Sequence, residues 1–217
     1  MRSCVRPTGA CRVIVPGLEG KTSLTVGVLA DTHLPFRLKR LPNQVLNVLR
    51  GADLIVHAGD VDRLEHLGAL AALAPLYAVR GNLHFKPREL SYGGLGLPFD
   101  LLFSLAGHNV VVNHGGWPNF WALAADWFWE KILEPSRKGA NGRIARRLLF
   151  MYPQADVIIF GHTHQPYLRW HAQTLLFNPG GVTESRGYAP SVGKLTLTPE
   201  RVTADIIPLA IPEGGRG

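Results

Sequence analysis

From Ser23 onward the chain alternates short apolar runs with polar, glycine-bearing junctions. Thr25–Ala30 is an uninterrupted, valine-rich run and predicts a strand buried on both faces. Leu41–Arg50 repeats its apolar positions at helical spacing, and Leu54–Ala58 predicts the next strand. A helix is expected from about Arg63 to Leu73, with Asp62 and Glu65 spaced as an N-cap and its reciprocal partner. Further strands are expected at Leu76–Val79, Val110–Val112 and Val157–Phe160. Leu175–Phe177, Lys194–Thr198 and Val202–Pro208 make the last third strand-rich. Strand and helix alternate early and strands follow one another late, which predicts a layered α/β domain with a mixed sheet or two packed sheets. Residues 1–22, punctuated by Pro7, Gly9, Pro16, Gly17 and Gly20, read as an N-terminal extension, and 23–217 as one domain.

Composition narrows the class. The 217 residues are 46% hydrophobic and 18% charged, enough for one domain with a sizeable core. Lys plus Arg number 23 against 16 Asp plus Glu, and the resulting charge of +7 favours an anionic partner without choosing among phosphorylated metabolites, nucleic acid and acidic membranes. No apolar run reaches the roughly 18 residues of a membrane span. Cys4 and Cys11 lack metal-site spacing and are expected as free thiols in a loose N-terminal arm, with a reduced cytoplasmic compartment as the default.

The chemistry lies where the strands end. Successive runs open into Asp31-Thr32-His33, Gly59-Asp60, Gly81-Asn82, His114-Gly115 and Gly161-His162-Thr163-His164. Open α/β sheets bind ligands outside the carboxyl ends of their strands. A single histidine there is more often an ordinary core or surface residue than a ligand, and Gly-Asp can be a simple turn. The ordered set of Asp31, His33, Asp60, Asn82, His114, His162 and His164 is harder to explain structurally. Seven oxygen and imidazole groups are too many for one cation and suit two that share a carboxylate. Such a pair lowers the pKa of a bridging water and clamps the oxygens of a phosphoryl group. The donor set is compatible with Mn²⁺, Fe²⁺ or Zn²⁺ and poorly matched to Ca²⁺. Metal-assisted phosphoester hydrolysis is the expected reaction.

In order and type these residues resemble the calcineurin-like metallophosphoesterase superfamily, from about Leu24 to Arg186. Ala52–Asp60 and Asn178-Pro179-Gly180-Gly181-Val182 resemble its small single-domain phosphodiesterase branch, to which the retromer scaffold subunit of vacuolar protein sorting is related in fold. The resemblance implies a four-layer sandwich, two mixed β-sheets flanked by helices. It implies a first metal held by Asp31, His33, Asp60 and His164, and a second held by Asp60, Asn82, His114 and His162. Asp60 would bridge the two, a metal-bridged hydroxide would be the nucleophile, and Asn82 would also touch the substrate phosphate. Mn²⁺ is the expected metal, with Fe²⁺, Zn²⁺ or Ni²⁺ as alternatives. Two positions depart from the pattern. Leu83 stands where the family places a proton-donating residue, so His84, one residue later, is the candidate acid. Gly116 stands where the branch often has a second histidine. A catalytically weak metal-binding scaffold or protein-interaction module of the same fold is therefore the alternative function.

Residues 117–153 read as an insertion. Trp117–Glu134 holds four of the five tryptophans and is apolar on two helical faces, which fits an added core layer, a substrate lid or a homodimer contact. Arg137, Lys138, Arg143, Arg146 and Arg147 follow, as a solvated face or a basic rim beside the phosphate site. No motif supports nucleic-acid binding.

Overall fold

The computed structural model describes residues 2–5, 10–61, 63–81, 91–92, 95–116, 139–185 and 187–210. The fold is a mixed α/β sandwich. One sheet holds five strands in the order β14 (Arg201–Pro208), β13 (Ser191–Thr198), β3 (Leu24–Leu29), β4 (Leu54–His57) and β5 (Leu76–Ala78). The other holds seven: β1 (Arg2–Val5), β2 (Ala10–Val13), β8 (Asp100–Leu105), β9 (His108–Asn113), β10 (Val157–Ile159), β12 (Thr174–Asn178) and β11 (Tyr167–His171). Both sheets are mixed, and β6 (Ser91–Tyr92) pairs with β7 (Leu95–Gly96) in a separate two-stranded ribbon. In the first, β3, β4 and β5 run parallel while β13 and β14 are antiparallel. In the second, β9, β10 and β12 form a parallel centre.

Strand alternation builds three apolar layers. Val26, Val28, Leu54, Val56, Val110, Val112, Val157, Ile159 and Phe177 point between the sheets and make the central core. Their neighbours Leu29 and Ile55 point outward, onto Val45 and Leu49 of α1 (Asn43–Leu49) and Leu70 of α2 (Gly68–Ala71). On the other side Val111, Ile158 and Leu176 meet Ile144, Ala145 and Leu148 of α3 (Ala140–Met151). Burial on both faces is why the central strands read as unbroken apolar runs.

Three expectations need correction. Segment 63–73 is a 3₁₀ turn, Leu64–Leu67, running into the short α2, and its N-terminal flanking residue is Arg63, with no side-chain cap. Asp62 lies outside the described residues. The N-terminal arm is not loose. β2 adds to the seven-stranded sheet beside β8, and Cys11, Val13 and Val15 are buried in the central core. Nor is Cys11 a free thiol: it is disulfide-bonded, and Cys4, the chain's other cysteine, is its register partner across β1 and β2. The free-thiol reading relied on position in sequence alone, which carries no information about the hairpin that sets the two residues opposite each other.

Candidate metal centre

The parallel strands release their chains at one edge of the sandwich, and the loops continue the sheet pairing briefly before turning inward. Asp31 N–H donates to Gly59 C=O at 3.0 Å, His33 N–H to Asp60 C=O at 3.1 Å, and Gly161 N–H to His114 C=O at 3.0 Å. The backbone then enters the left-handed region at five candidate ligands: Asp31 (φ 52°), His33 (48°), Asp60 (57°), His162 (73°) and His164 (60°). Each such residue costs on the order of 1–2 kcal/mol in the absence of compensation. The strain turns successive side chains into one buried space. Two glycines make room for them. A Cβ on Gly59 (φ +97°) would fall on the His114 ring, and one on Gly81 would fall on the Asp60 carboxylate.

Asp31, His33, Asp60, His114 and His164 are all at least 95% buried. The Nε2 atoms of His33 and His164 stand 3.3 Å apart, with the rings stacked. Asp60 Oδ2 lies 3.7 Å from His33 Nε2 and 3.5 Å from His114 Nε2. Asp31 Oδ1 lies 3.8 Å from His164 Nε2. Two sets could each hold a cation: Asp31, His33 and His164, and Asp31, Asp60 and His114. His162 donates its backbone N–H to Asp31 Oδ2 at 3.0 Å, and its ring sits edge-on to His114 at 5.3 Å. Six of the seven predicted ligands are thus gathered at one place. Asn82, the seventh, lies outside the described residues, as do Leu83 and the candidate acid His84.

The donor set fits divalent cations. Buried polar atoms are normally hydrogen-bonded, yet Asp31 Oδ1, His114 Nε2 and His164 Nδ1 have no hydrogen-bond partner. Two carboxylates enclosed with three imidazoles are costly without a cation. Burial pushes the Asp31 carboxyl up to about 8, with the His114 charge opposing and the Asp60 charge adding to the rise. For His114, burial alone would lower the pKa, but Asp60 outweighs it and lifts the ring to about 9. His164 falls to about 3, through burial and then the charges of His33 and Arg37.

A second set of residues holds the first in place. His114 Nδ1–H donates to Ala58 C=O at 2.7 Å, which fixes the tautomer and leaves Nε2 free to ligate. His57, fully buried, accepts Gly59 N–H at Nδ1 (3.2 Å) and meets Thr32 Oγ1 at Nε2 (3.2 Å), joining the loops of Asp31 and Asp60. Asn178 Nδ2 donates to Gly161 C=O (3.0 Å), Thr163 Oγ1 (3.1 Å) and Asn141 Oδ1 (3.3 Å), clamping the turn that carries His162 and His164. Sequence reasoning singled out Asn178 only as part of a stretch and missed Asn141 altogether. Asn141 is on α3, and nothing in its sequence context signals a polar residue turned into the core.

The basic segment divides. Arg146 is exposed, whereas Arg147 turns inward and donates to the carbonyls of Gly115 and Gly116, behind His114. Arg137, Lys138 and the Trp-rich stretch, with the homodimer contact expected there, lie outside the described residues. No helix among the described residues is long and apolar enough to cross a membrane.

Comparison with known proteins agrees with this geometry. The calcineurin-like phosphoesterase superfamily domain matches residues 24–200. The chain is 32% identical to a protein named "Probable metallophosphoesterase" from Methanothermobacter thermautotrophicus, over 87% of this chain and 95% of that one. Its fold is similar to Vps29 of Chaetomium thermophilum (TM-score 0.61, 17% identity, 88% of this chain and 92% of the other). It is similar also to a structure described as a novel archaeal phosphodiesterase (TM-score 0.57, 16% identity, 85% and 100%). With that domain matching residues 24–200 and a relative 32% identical over 95% of its length, the chain belongs to the calcineurin-like phosphoesterase superfamily.

Proposed function

We propose that this protein hydrolyses phosphodiesters at a centre of two divalent cations, Mn²⁺ being the first choice. The observation that carries the reading is the convergence of His33 Nε2, His164 Nε2, Asp31 Oδ1, Asp60 Oδ2 and His114 Nε2 in one buried space, three of its polar atoms lacking hydrogen bonds. Asp31, His33, Asp60 and His164 would hold one cation, and Asp60, Asn82, His114 and His162 the other. When bound, the cations supply Lewis acidity to the phosphoryl oxygens and make water acidic enough to yield a nucleophile near neutral pH.

The chain's own residues do the rest. Asp60 Oδ2, 3.7 Å from His33 Nε2 and 3.5 Å from His114 Nε2, would serve both positions, and Asp31 is the carboxylate common to the two candidate sets. His57 and Asn178 keep the ligand loops from relaxing, and Asn82 orients the phosphate. Leu83 has no proton to give, so His84 is the acid for the leaving group. General acid help is worth roughly 10²–10⁴-fold. With that acid one residue later than the family's position, diesters with good leaving groups are expected to react well and alkyl monoesters poorly.

Elemental analysis of the purified protein, then turnover of bis-(p-nitrophenyl) phosphate with added Mn²⁺, tests the reading. Two bound cations with turnover support it. Two bound cations without turnover favour the scaffold alternative, and failure to bind any divalent cation removes both.

A further inference from the structure

The turn after His33 carries two side chains that the ligand constellation does not use. Arg37 N–H donates to His33 C=O at 2.8 Å, so the chain folds back and sets Arg37 one turn beyond a buried candidate ligand. The Arg37 side chain is exposed, and its Nη1 donates to Ser185 Oγ at 3.4 Å. Ser185 follows shortly after Gly181, which packs so closely on His164 that a Cβ there would stand 2.7 Å from Nδ1. Arg37 therefore ties the loop of His33 to the loop between β12 and β13, whose Gly181 packs on His164, the histidine that stacks on His33 at 5.1 Å.

This position suits an anion. Arg37 forms no ion pair with any described carboxylate, and one long bond to a hydroxyl uses little of a guanidinium's five-donor capacity. Its charge reaches the centre, where it helps to lower the pKa values of both Asp31 and His164. A planar guanidinium matches phosphate oxygens in shape as well as charge. Beside it, Phe36 is 79% exposed, a large ring that adds almost nothing to the core, while Leu34 two residues earlier is fully buried. An exposed aromatic next to an anion-seeking arginine, at the rim of a buried polar centre, offers a stacking surface.

We propose that Phe36 and Arg37 form the substrate-recognition edge of the centre, Arg37 holding a non-bridging phosphate oxygen and Phe36 stacking on an aromatic ring of the ester. The inference rests on the phosphoesterase reading and names the substrate class for it: phosphoesters with a planar aryl or nucleobase group.

Calorimetric binding of inorganic phosphate and of phenyl phosphate to the Mn²⁺-loaded protein tests it, with metal content measured in each variant. Arg37→Gln is expected to weaken both anions by roughly 10–100-fold, with Arg37→Lys recovering part of the loss. Phe36→Ala is expected to leave inorganic phosphate unchanged and to weaken phenyl phosphate by about 3–10-fold. Metal content should stay at the wild-type value in all three. Arg37→Gln binding phosphate as tightly as wild type overturns the assignment of Arg37. Phe36→Ala affecting both anions equally, or neither, overturns that of Phe36. Wild-type protein that binds both anions with these variant effects yet hydrolyses no diester overturns the hydrolase reading alone. Hydrolysis by wild type with unaltered binding in the variants overturns this inference alone.

Discussion

The Nε2 atoms of His33 and His164 face each other at 3.3 Å between stacked rings, although the two residues are 131 positions apart in sequence. Each is flanked by a carboxylate, Asp60 Oδ2 at 3.7 Å from His33 and Asp31 Oδ1 at 3.8 Å from His164. Two imidazoles aimed at a common point between two carboxylates describe a cation position.

Asp60→Asn should therefore affect both proposed cation positions, since Asp60 Oδ2 lies within 3.7 Å of His33 and 3.5 Å of His114. The expected result is a fall in bound metal from two to one or none, with turnover of bis-(p-nitrophenyl) phosphate reduced by about 10²-fold or more. Elemental analysis and steady-state kinetics on the same preparation read both. Full metal content in the variant would show that Asp60 is not shared.

Metal uptake should release protons. Without metal, Asp31 at about 8 and His114 at about 9 both hold a proton at pH 7, and both must lose it to ligate. Calorimetry in buffers of different ionisation enthalpy should show up to two protons released per protein at pH 7. Buffer-independent enthalpies would contradict this.

Stability of the metal-free protein should respond to pH in a defined direction. Both groups have folded-state pKa values raised above their unfolded ones, 3.8 for Asp31 and 6.5 for His114. Their contribution is present at low pH and is lost as pH rises, through about 8 for Asp31 and about 9 for His114. His164, lowered to about 3, acts oppositely, but its contribution is already complete above 6.5. Between pH 6.5 and 9 the midpoint of thermal unfolding should fall in chelator, and Mn²⁺ should reverse the trend. A rising midpoint in chelator over that window would be the contrary outcome.

Asn178→Ala should loosen the turn of His162 and His164. It leaves Gly161 C=O and Thr163 Oγ1 without their Asn178 partner in a fully buried site. A loss of about 1–3 kcal/mol is expected, measured by denaturant unfolding, together with weaker metal binding. Unchanged metal affinity would limit Asn178 to a structural role.

Gly59→Ala puts a methyl group onto the His114 ring at a backbone angle of φ +97°. Strain of this kind costs on the order of 1–3 kcal/mol, and displacement of His114 should remove at least one metal. A variant that retains full metal content and stability would mean that the loop relaxes freely.

Much of the fold and most of the centre were legible in the sequence because they obey local rules. Val26, Val28 and Leu29 announce a strand covered on both sides, since a strand with one face in water would alternate. Asp31, Asp60, His114 and His162 each follow such a run after one or two residues, His164 stands two further on, and parallel strands deliver their ends to one edge. Glycines at 59, 81 and 161 mark where backbone and side chain must come close, so composition and spacing carried that information.

What only the tertiary structure decided depends on residues distant in sequence. The cost of holding Asp31, His33, Asp60, His162 and His164 in left-handed conformations is invisible in one dimension, because it is offset by packing across the two sheets. Asn141 reaches the His162–His164 turn only because α3 packs its apolar face on Val111 and Ile158, which turns one polar side chain inward. The pairing of β2 with β8 buries an N-terminal arm that local composition makes look loose. Arg37 illustrates the same limit: the chain shows a basic residue in a loop, while its contact with Ser185, between β12 and β13, follows from how the two loops meet. Local sequence determines which groups sit at the strand ends, and long-range packing determines which of them meet.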